Sequence, residues 1–228
     1  HMVRFAKQSL GWLSHNLPGV PYPYPKTTIF QGFADMEYPM MVNDNTTNDT
    51  TFAHFVVAHE LAHTWFPFYM GINETRYGFM DEGWATTFEY LINQANMGPE
   101  AAAELYKQFR VARWIHDPSP TQELPIITPG DVLSGGGLGS NEYGKASLGY
   151  LAVRDLLGHA EFKPALHAFM SRWHGKHPTP WDFFYTFNDV TGQNLDWFWR
   201  DWYFKNSYID LGIGKLTRDG RTTRLTVN

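Results

Sequence analysis

Residues 54–66 read His-Phe-Val-Val-Ala-His-Glu-Leu-Ala-His-Thr-Trp-Phe, an apolar run interrupted by histidines, one glutamate and one threonine. Thr50 and Thr51 ahead of it can cap a helix, and Phe52, Phe55, Val56, Leu61 and Phe66 make that helix a buried one. His59 and His63 are four apart, so on a helix they lie about 40° out of register and roughly 6 Å apart along the axis. That spacing suits two imidazole nitrogens meeting one Zn²⁺. Glu60, one step round from His59, can reach a metal-bound water without ligating the metal, as in the H-E-x-x-H arrangement. Structurally satisfied histidines are the alternative. Yet ionisable groups inside a buried helix need partners, and a metal supplies them at once.

Such a zinc still lacks a third ligand. Eighteen residues separate His63 from Glu82, which stands at the start of a second helical pattern through Thr87, Phe88, Tyr90 and Leu91. Two histidines and one carboxylate leave the fourth tetrahedral position to water, the catalytic kind of zinc site. Glu82 also fits ordinary compensation of a helix dipole. Glu89 is a second carboxylate open to a structural reading, and Thr86 either orients a ligand or is a plain buried hydroxyl.

Several classes are excluded or left open by composition. A net charge of −5 with no basic stripe argues against nucleic acid as a partner. The 228 residues include no cysteine, so disulfides and thiolate zinc sites are out. No run of 18 apolar residues spans a membrane. His1-Met2 reads as a cloning remnant and no signal peptide precedes residue 3, which leaves the compartment open.

Along the chain, residues 3–17 carry Phe5, Leu10, Leu13 and Leu17 as an amphipathic helix, stopped by Asn16 and Pro18-Gly19. Val20–Pro25 is extended because each proline biases its predecessor away from α geometry. Thr27–Phe30 and Met40–Val42 read as strands, with Ala34–Pro39 between them as a loop in which Glu37 is a solvated carboxylate. Residues 43–51 form a polar loop, and Asn45, Asn48 and Asn73 match the glycosylation sequon. Pro67 and Gly71 end the metal helix. A helix from about Pro99 should bury Ala101, Ala102, Ala103, Leu105, Phe109 and Trp114, broken by Asp117-Pro118-Ser119-Pro120 and followed by an irregular stretch over 121–140.

Gly139-Ser-Asn-Glu-Tyr-Gly144-Lys145-Ala146 nearly matches the phosphate loop G-x-x-x-x-G-K-[ST], but Ala146 replaces the Mg²⁺-binding hydroxyl and no strand precedes it. Helices are expected over 146–158, 160–173, 180–190 and 194–204. Trp173, Trp181, Trp197, Trp199 and Trp202 read as core rather than as a sugar-stacking surface, and His174 and His177 as surface residues. From Gly214 the pattern alternates about Asp219-Gly220, a β-hairpin.

His59-Glu60-x-x-His63, eighteen residues, then Asp81-Glu82-Gly83-Trp84-Ala85 resembles the M1 family of zinc aminopeptidases, gluzincins of the aminopeptidase N and leukotriene A4 hydrolase type. Ala34-Asp35-Met36-Glu37-Tyr38 falls where that family has Gly-x-Met-Glu-Asn, with Ala34, Asp35 and Tyr38 departing from the pattern. The resemblance makes Glu37, with Met36 beside it, the anchor for a substrate's free α-amino group. Tyr143-Gly144-Lys145-Ala146 is similar to the family's Tyr-x-Lys-Gly segment, which implies that Tyr143 donates to the tetrahedral oxyanion.

The resulting expectation is an α+β, mainly α, thermolysin-like zinc metallopeptidase domain, with a small N-terminal β part and a helical C-terminal part. It occupies residues 3–206, and 207–228 opens a following β domain that is cut short. One Zn²⁺ per chain is held by His59, His63 and Glu82, Glu60 is the general base, and the partner is a peptide with a free N-terminus. Alternatives are another zinc hydrolase on the same site (endopeptidase or epoxide hydrolase) or a non-catalytic module. The family also carries an N-terminal β domain, so the resemblance implies further domains and weak or no activity for this stretch alone.

Overall fold

A computed structural model describes residues 1–115, 124–206 and 212–227. The burial expected of Trp114 and the helix break at Asp117–Pro120 lie outside the described residues, as does the start of the irregular stretch.

Helix α1 (Met2–His15) turns Phe5, Ala6, Ser9 and Leu13 inward, the stripe that its apolar spacing dictates. A three-stranded sheet follows: β1 (Thr28–Gly32), β2 (Met36–Tyr38) and β3 (Met41–Asn45). Its order is β1-β3-β2, with β1 parallel and β2 antiparallel to β3. The loop expected over 34–39 is therefore corrected. Pro39 and Met40, the latter at φ 62°, reverse the chain tightly enough for Met36–Tyr38 to pair with β3. Glu37 sits opposite Val42, a core residue, and side chains directly opposite share a face. It is 8% exposed, not a solvated carboxylate.

Helix α2 (Thr50–Ala62) buries every residue from Ala53 to Ala62, the signature of a helix enclosed on all sides. Its cap is Asp49 rather than Thr50 or Thr51. The Asp49 carboxylate accepts from Thr51 N at 2.8 Å and Phe52 N at 3.2 Å, and being charged it suits the positive end of the helix dipole. Beyond His63 the chain runs as a π-helical segment, Thr64–Tyr69, in which Phe66 leaves helical geometry ahead of Pro67.

Helix α3 (Glu82–Met97) packs along α2. Next come α4 (Pro99–Tyr106), a π turn at Lys107–Val111 and α5 (Ala112–Ile115). Ala102 and Tyr106, four apart, are buried; Ala101 and Ala103 are exposed, because three consecutive helical positions cannot share one face. The short α6 (Gly136–Leu138) leads into a π segment, Gly139–Lys145, and then α7 (Ala146–Leu157). Residues 139–146 are thus helical, not a phosphate loop, and no strand lies near them among the described residues. α8 (His159–Trp173), α9 (Pro180–Thr191) and α10 (Asp196–Trp199), prolonged by Arg200–Phe204, complete the helical part. The hairpin of β4 (Ile213–Asp219) and β5 (Thr222–Val227) is exposed along its length, with Gly220 at φ 58° in the turn.

The larger core centres on Trp84, which is fully buried and stacks on Tyr150 at 4.0 Å, Phe66 at 5.2 Å and Phe88 at 5.5 Å between ring centroids. Next to it, a Cβ on Gly83 would stand 2.6 Å from Ala146 Cβ, so the missing side chain lets the starts of α3 and α7 touch. Of the five tryptophans expected in the core, Trp199 is buried and Trp173 and Trp202 are half-buried. Trp181 and Trp197 are 42% and 50% exposed, on outward faces of their helices. His174 and His177 lie at the surface. Among the described residues no helix is long and apolar enough to cross a membrane.

Replacing Asp49 by Ala removes the cap that satisfies two N–H groups of α2. The expected loss is about 1 kcal/mol of stability, read as a lower urea midpoint at unchanged slope; an unchanged midpoint would mean the cap is dispensable.

Candidate metal centre

The last turn of α2 and the first residue of α3 meet beneath the sheet. His59 lies within α2, and His63 follows its last residue in helical geometry, so both rings project the same way with centroids 4.9 Å apart. Glu82 enters from α3: its Oε2 lies 3.0 Å from His59 Nε2 and 3.5 Å from His63 Nε2. Ligand atoms held about 2.0–2.1 Å from a tetrahedral zinc stand roughly 3.3 Å apart, and these two separations bracket that value. His63 Nε2 and Glu60 Oε2 are buried with no hydrogen-bond partner among the described residues. An imidazole nitrogen orphaned at the point where two other donors converge is what a metal ligand looks like before it binds. The donor set, two nitrogens and one carboxylate, fits Zn²⁺.

The other expected residues gather round this point, with one exception. Glu37 offers an oxygen within 4.8 Å of donor atoms on Glu60 and His63, and also within 4.8 Å of those on Asp81 and Glu82. The Tyr143 hydroxyl donates to Glu82 Oε1 at 2.7 Å, and its ring lies parallel to that of His59, 5.9 Å between centroids. Met36 is the exception. Strand alternation points it away from Glu37, and it is 40% exposed.

A second layer of side chains surrounds these donors, in which Glu89 and Thr86 are named by the sequence and the roles of Asp81 and Arg110 are not. His63 Nδ1 lies 2.6 Å from Asp81 Oδ1 and 3.1 Å from the Phe66 carbonyl, which the local departure from helix turns toward it. His59 Nδ1 lies 2.9 Å from Glu89 Oε2. Each ring is thereby fixed with Nδ1 donating to a carboxylate and Nε2 facing the cluster, the support that metal-bound histidines usually have. Glu89 carried a readable signal, since seven residues after Glu82 is two helical turns and the same face. Thr86 is a buried hydroxyl with no partner among the described residues. Arg110 reaches Glu89 from the π turn with a short Nη2–Oε2 contact and an Nε–Oε1 bond of 3.3 Å; nothing in its own neighbourhood of sequence announces it.

Charge is the dominant force here. Glu37, Glu60, Asp81, Glu82 and Glu89 face a single guanidinium among the described residues. Burial lowers the proton affinity of His59, as does Arg110, yet hydrogen bonds to Glu82 and Glu89 and the Glu82 charge lift its pKa to about 9. Burial likewise opposes protonation of His63, and the charges of Asp81 and Glu82 override it, leaving the pKa well above normal. Glu60 is pushed up to about 7, chiefly by burial. Glu82 goes the other way: burial raises it, but the two histidines hold it well below the usual carboxylate range. Electrostatics that concentrate protons on two histidines favour a dication equally, with those protons released as it binds.

A protein-family model described as the Peptidase family M1 domain matches residues 31–202. The fold is similar to solved M1 zinc metallopeptidase structures from Deinococcus radiodurans. One, at 20% identity and a TM-score of 0.65, covers 92% of this chain and 44% of its own. A point mutant of that enzyme gives 19% identity, a TM-score of 0.66 and the same coverage. The mutant bound to a Tyr-Ser-Ala substrate gives 20%, 0.63, and 89% and 42% coverage. The chain thus spans less than half the length of these proteins. No curated protein matches it.

Replacing Asp81 by Ala releases the His63 ring. Zinc affinity, measured by competition with a chelator, is expected to fall about 10–100-fold; wild-type affinity would remove Asp81 from the centre.

Proposed function

The chain belongs to the M1 family of peptidases, zinc-dependent metallopeptidases, and on that premise we propose that it carries the catalytic centre of an aminopeptidase, on a thermolysin-like scaffold, with one Zn²⁺ held by His59, His63 and Glu82. The observation that carries this reading is the position of Glu37. A buried carboxylate on β2 shares the cluster with Glu60 and His63. That is where a substrate's α-ammonium would bind, which makes the site count from the chain end.

Zinc, when bound, acidifies water and polarises the scissile carbonyl. The protein does the rest. Glu60, on the same helix as the ligands and with Oε2 unpartnered among the described residues, accepts the proton of the attacking water and delivers it to the departing amine. Tyr143, whose hydroxyl already sits among the donors, supplies the hydrogen bond to the oxyanion, a contact worth about 3 kcal/mol where it has been measured by removal. Glu37 pairs with the ammonium and bars substrate from extending beyond it, which distinguishes this reading from an endopeptidase. Because the matched M1 proteins are more than twice as long, the isolated chain is expected to bind zinc but to hydrolyse weakly, with full activity requiring further domains.

The decisive experiment compares the wild-type chain with His63→Ala for metal, then assays aminoacyl amides with free and acetylated amines. About one zinc per chain, lost in the variant, is expected; zinc in neither would overturn the centre. Hydrolysis of only the free-amine substrate supports Glu37 as the anchor, whereas equal hydrolysis of both would point to an endopeptidase-like site. Glu60→Gln should keep zinc while losing at least about 100-fold in rate; undiminished hydrolysis would remove Glu60 as the base.

A further inference from the structure

Arg110 is the one arginine placed within the buried network among the described residues, and it comes from an unexpected direction. The helix that starts at Pro99 tightens into a π turn over Lys107–Val111 before α5, and such turns re-aim a side chain by inserting one residue into the helical count. Its guanidinium grips Glu89 through Nε, at 3.3 Å, and through Nη2 in a shorter contact. The same Nη2 lies 3.2 Å from His59 Nδ1. The guanidinium carbon also sits 5.3 Å from the centre of the Tyr143 ring and 4.9 Å from that of Phe55. Arg110 therefore touches the supports of a candidate metal ligand and the candidate oxyanion donor at once.

We infer that Arg110 is a positioning residue of this centre: by clamping Glu89 and lying against Tyr143, it holds the His59 ring with Nε2 toward the metal and keeps the tyrosine hydroxyl at Glu82. The inference rests on the zinc reading above. A guanidinium only donates hydrogen bonds. Arg110 directs two contacts at Glu89, whose Oε2 lies 2.9 Å from His59 Nδ1 and accepts that nitrogen's proton when Nε2 serves as the metal ligand. Once a metal displaces the Nε2 proton, which is otherwise shared with Glu82 Oε2 at 3.0 Å, the Nε2 lone pair faces the cluster. Take away the clamp and Glu89, a fully buried carboxylate, loses the charge that justifies its burial. The ring can then turn or change tautomer. Tyr143 loses one of the two flat surfaces, Arg110 and His59, against which it packs.

The test uses the full chain with Arg110→Met, Arg110→Lys and Glu89→Gln, each checked for folding by circular dichroism. Zinc affinity is measured by chelator competition, and the His59 ring proton by ¹⁵N-resolved NMR. In Arg110→Met the affinity should drop about 10–100-fold, with Arg110→Lys in between, and the Nδ1-bound proton signal should be lost or shifted. Should Arg110→Met fail to fold, Arg110→Lys and Glu89→Gln carry the same comparison, since both keep volume and polarity. Folded variants that hold zinc within about threefold of wild type, with an unchanged His59 signal, would overturn the positioning role. Absence of zinc from the wild type as well would instead overturn the centre itself, and this inference with it.

Discussion

The contact between the end of α2 and the start of α3 decides whether this chain has a site at all. His59 and His63 share a helix and need no tertiary structure to face the same way; Glu82 belongs to another helix and must be brought to within 3.0–3.5 Å of both. The docking force comes from apolar burial immediately beside Glu82. Trp84, two residues after Glu82, is fully enclosed and stacks on Phe66, three residues after His63. Burying a large aromatic ring stabilises by roughly 2–3 kcal/mol, and here that energy is spent within a helical turn of the polar cluster. Gly83, lying between Glu82 and Trp84, lets Ala146 and hence the Tyr143 segment close over the same point.

Gathering five carboxylates carries an electrostatic cost, because like charges at short range in a buried setting repel strongly. The protein offsets it locally. Asp81 is paired with His63, Glu89 with His59 and Arg110, and Glu82 with both rings and Tyr143. Glu60 and Glu37 are the two left without such a partner among the described residues, and they are the two to which the proposed reaction assigns a moving proton and an incoming ammonium.

What the sequence showed, and what it hid, follows from the range of the interactions. The spacing of His59 and His63 is local and fixed by helical geometry, so it could be read directly; so could the amphipathic stripe of α1, the hairpin about Asp219-Gly220 and the proline at the first position of α9. The approach of Glu82 to the two histidines is a long-range contact, to which the eighteen-residue spacing pointed through the family resemblance. Glu37 was misread as a loop residue because a three-residue strand has too few positions for alternation to show. Its pairing with β3 depends on a reversal at Pro39-Met40 that resembles no common hairpin signal. Arg110 was invisible for a stronger reason: a π turn shifts the helical phase by one residue, so the face that the sequence assigns to it is not the face it occupies.

The sheet deserves its place in the site for the same geometric reason. On a helix, a carboxylate at this position could be supported from only one side; on β2, flanked by exposed Met36 and Tyr38, Glu37 is held by main-chain pairing to β3 while its side chain turns inward opposite Val42. Backbone hydrogen bonds fix the reach of that carboxylate more tightly than a flexible loop would, and reach is what matters if a substrate is to be measured from its first residue. On the proposed reading, the separation between Glu37 and the Glu60–His63 pair, within 4.8 Å, would serve as a ruler one residue long. A peptide with a blocked amine would place an uncharged, bulkier group against a buried carboxylate and leave that charge unpaired, a penalty of several kcal/mol. Selectivity for a free terminus in this reading comes as much from the cost of the wrong fit as from the attraction of the right one.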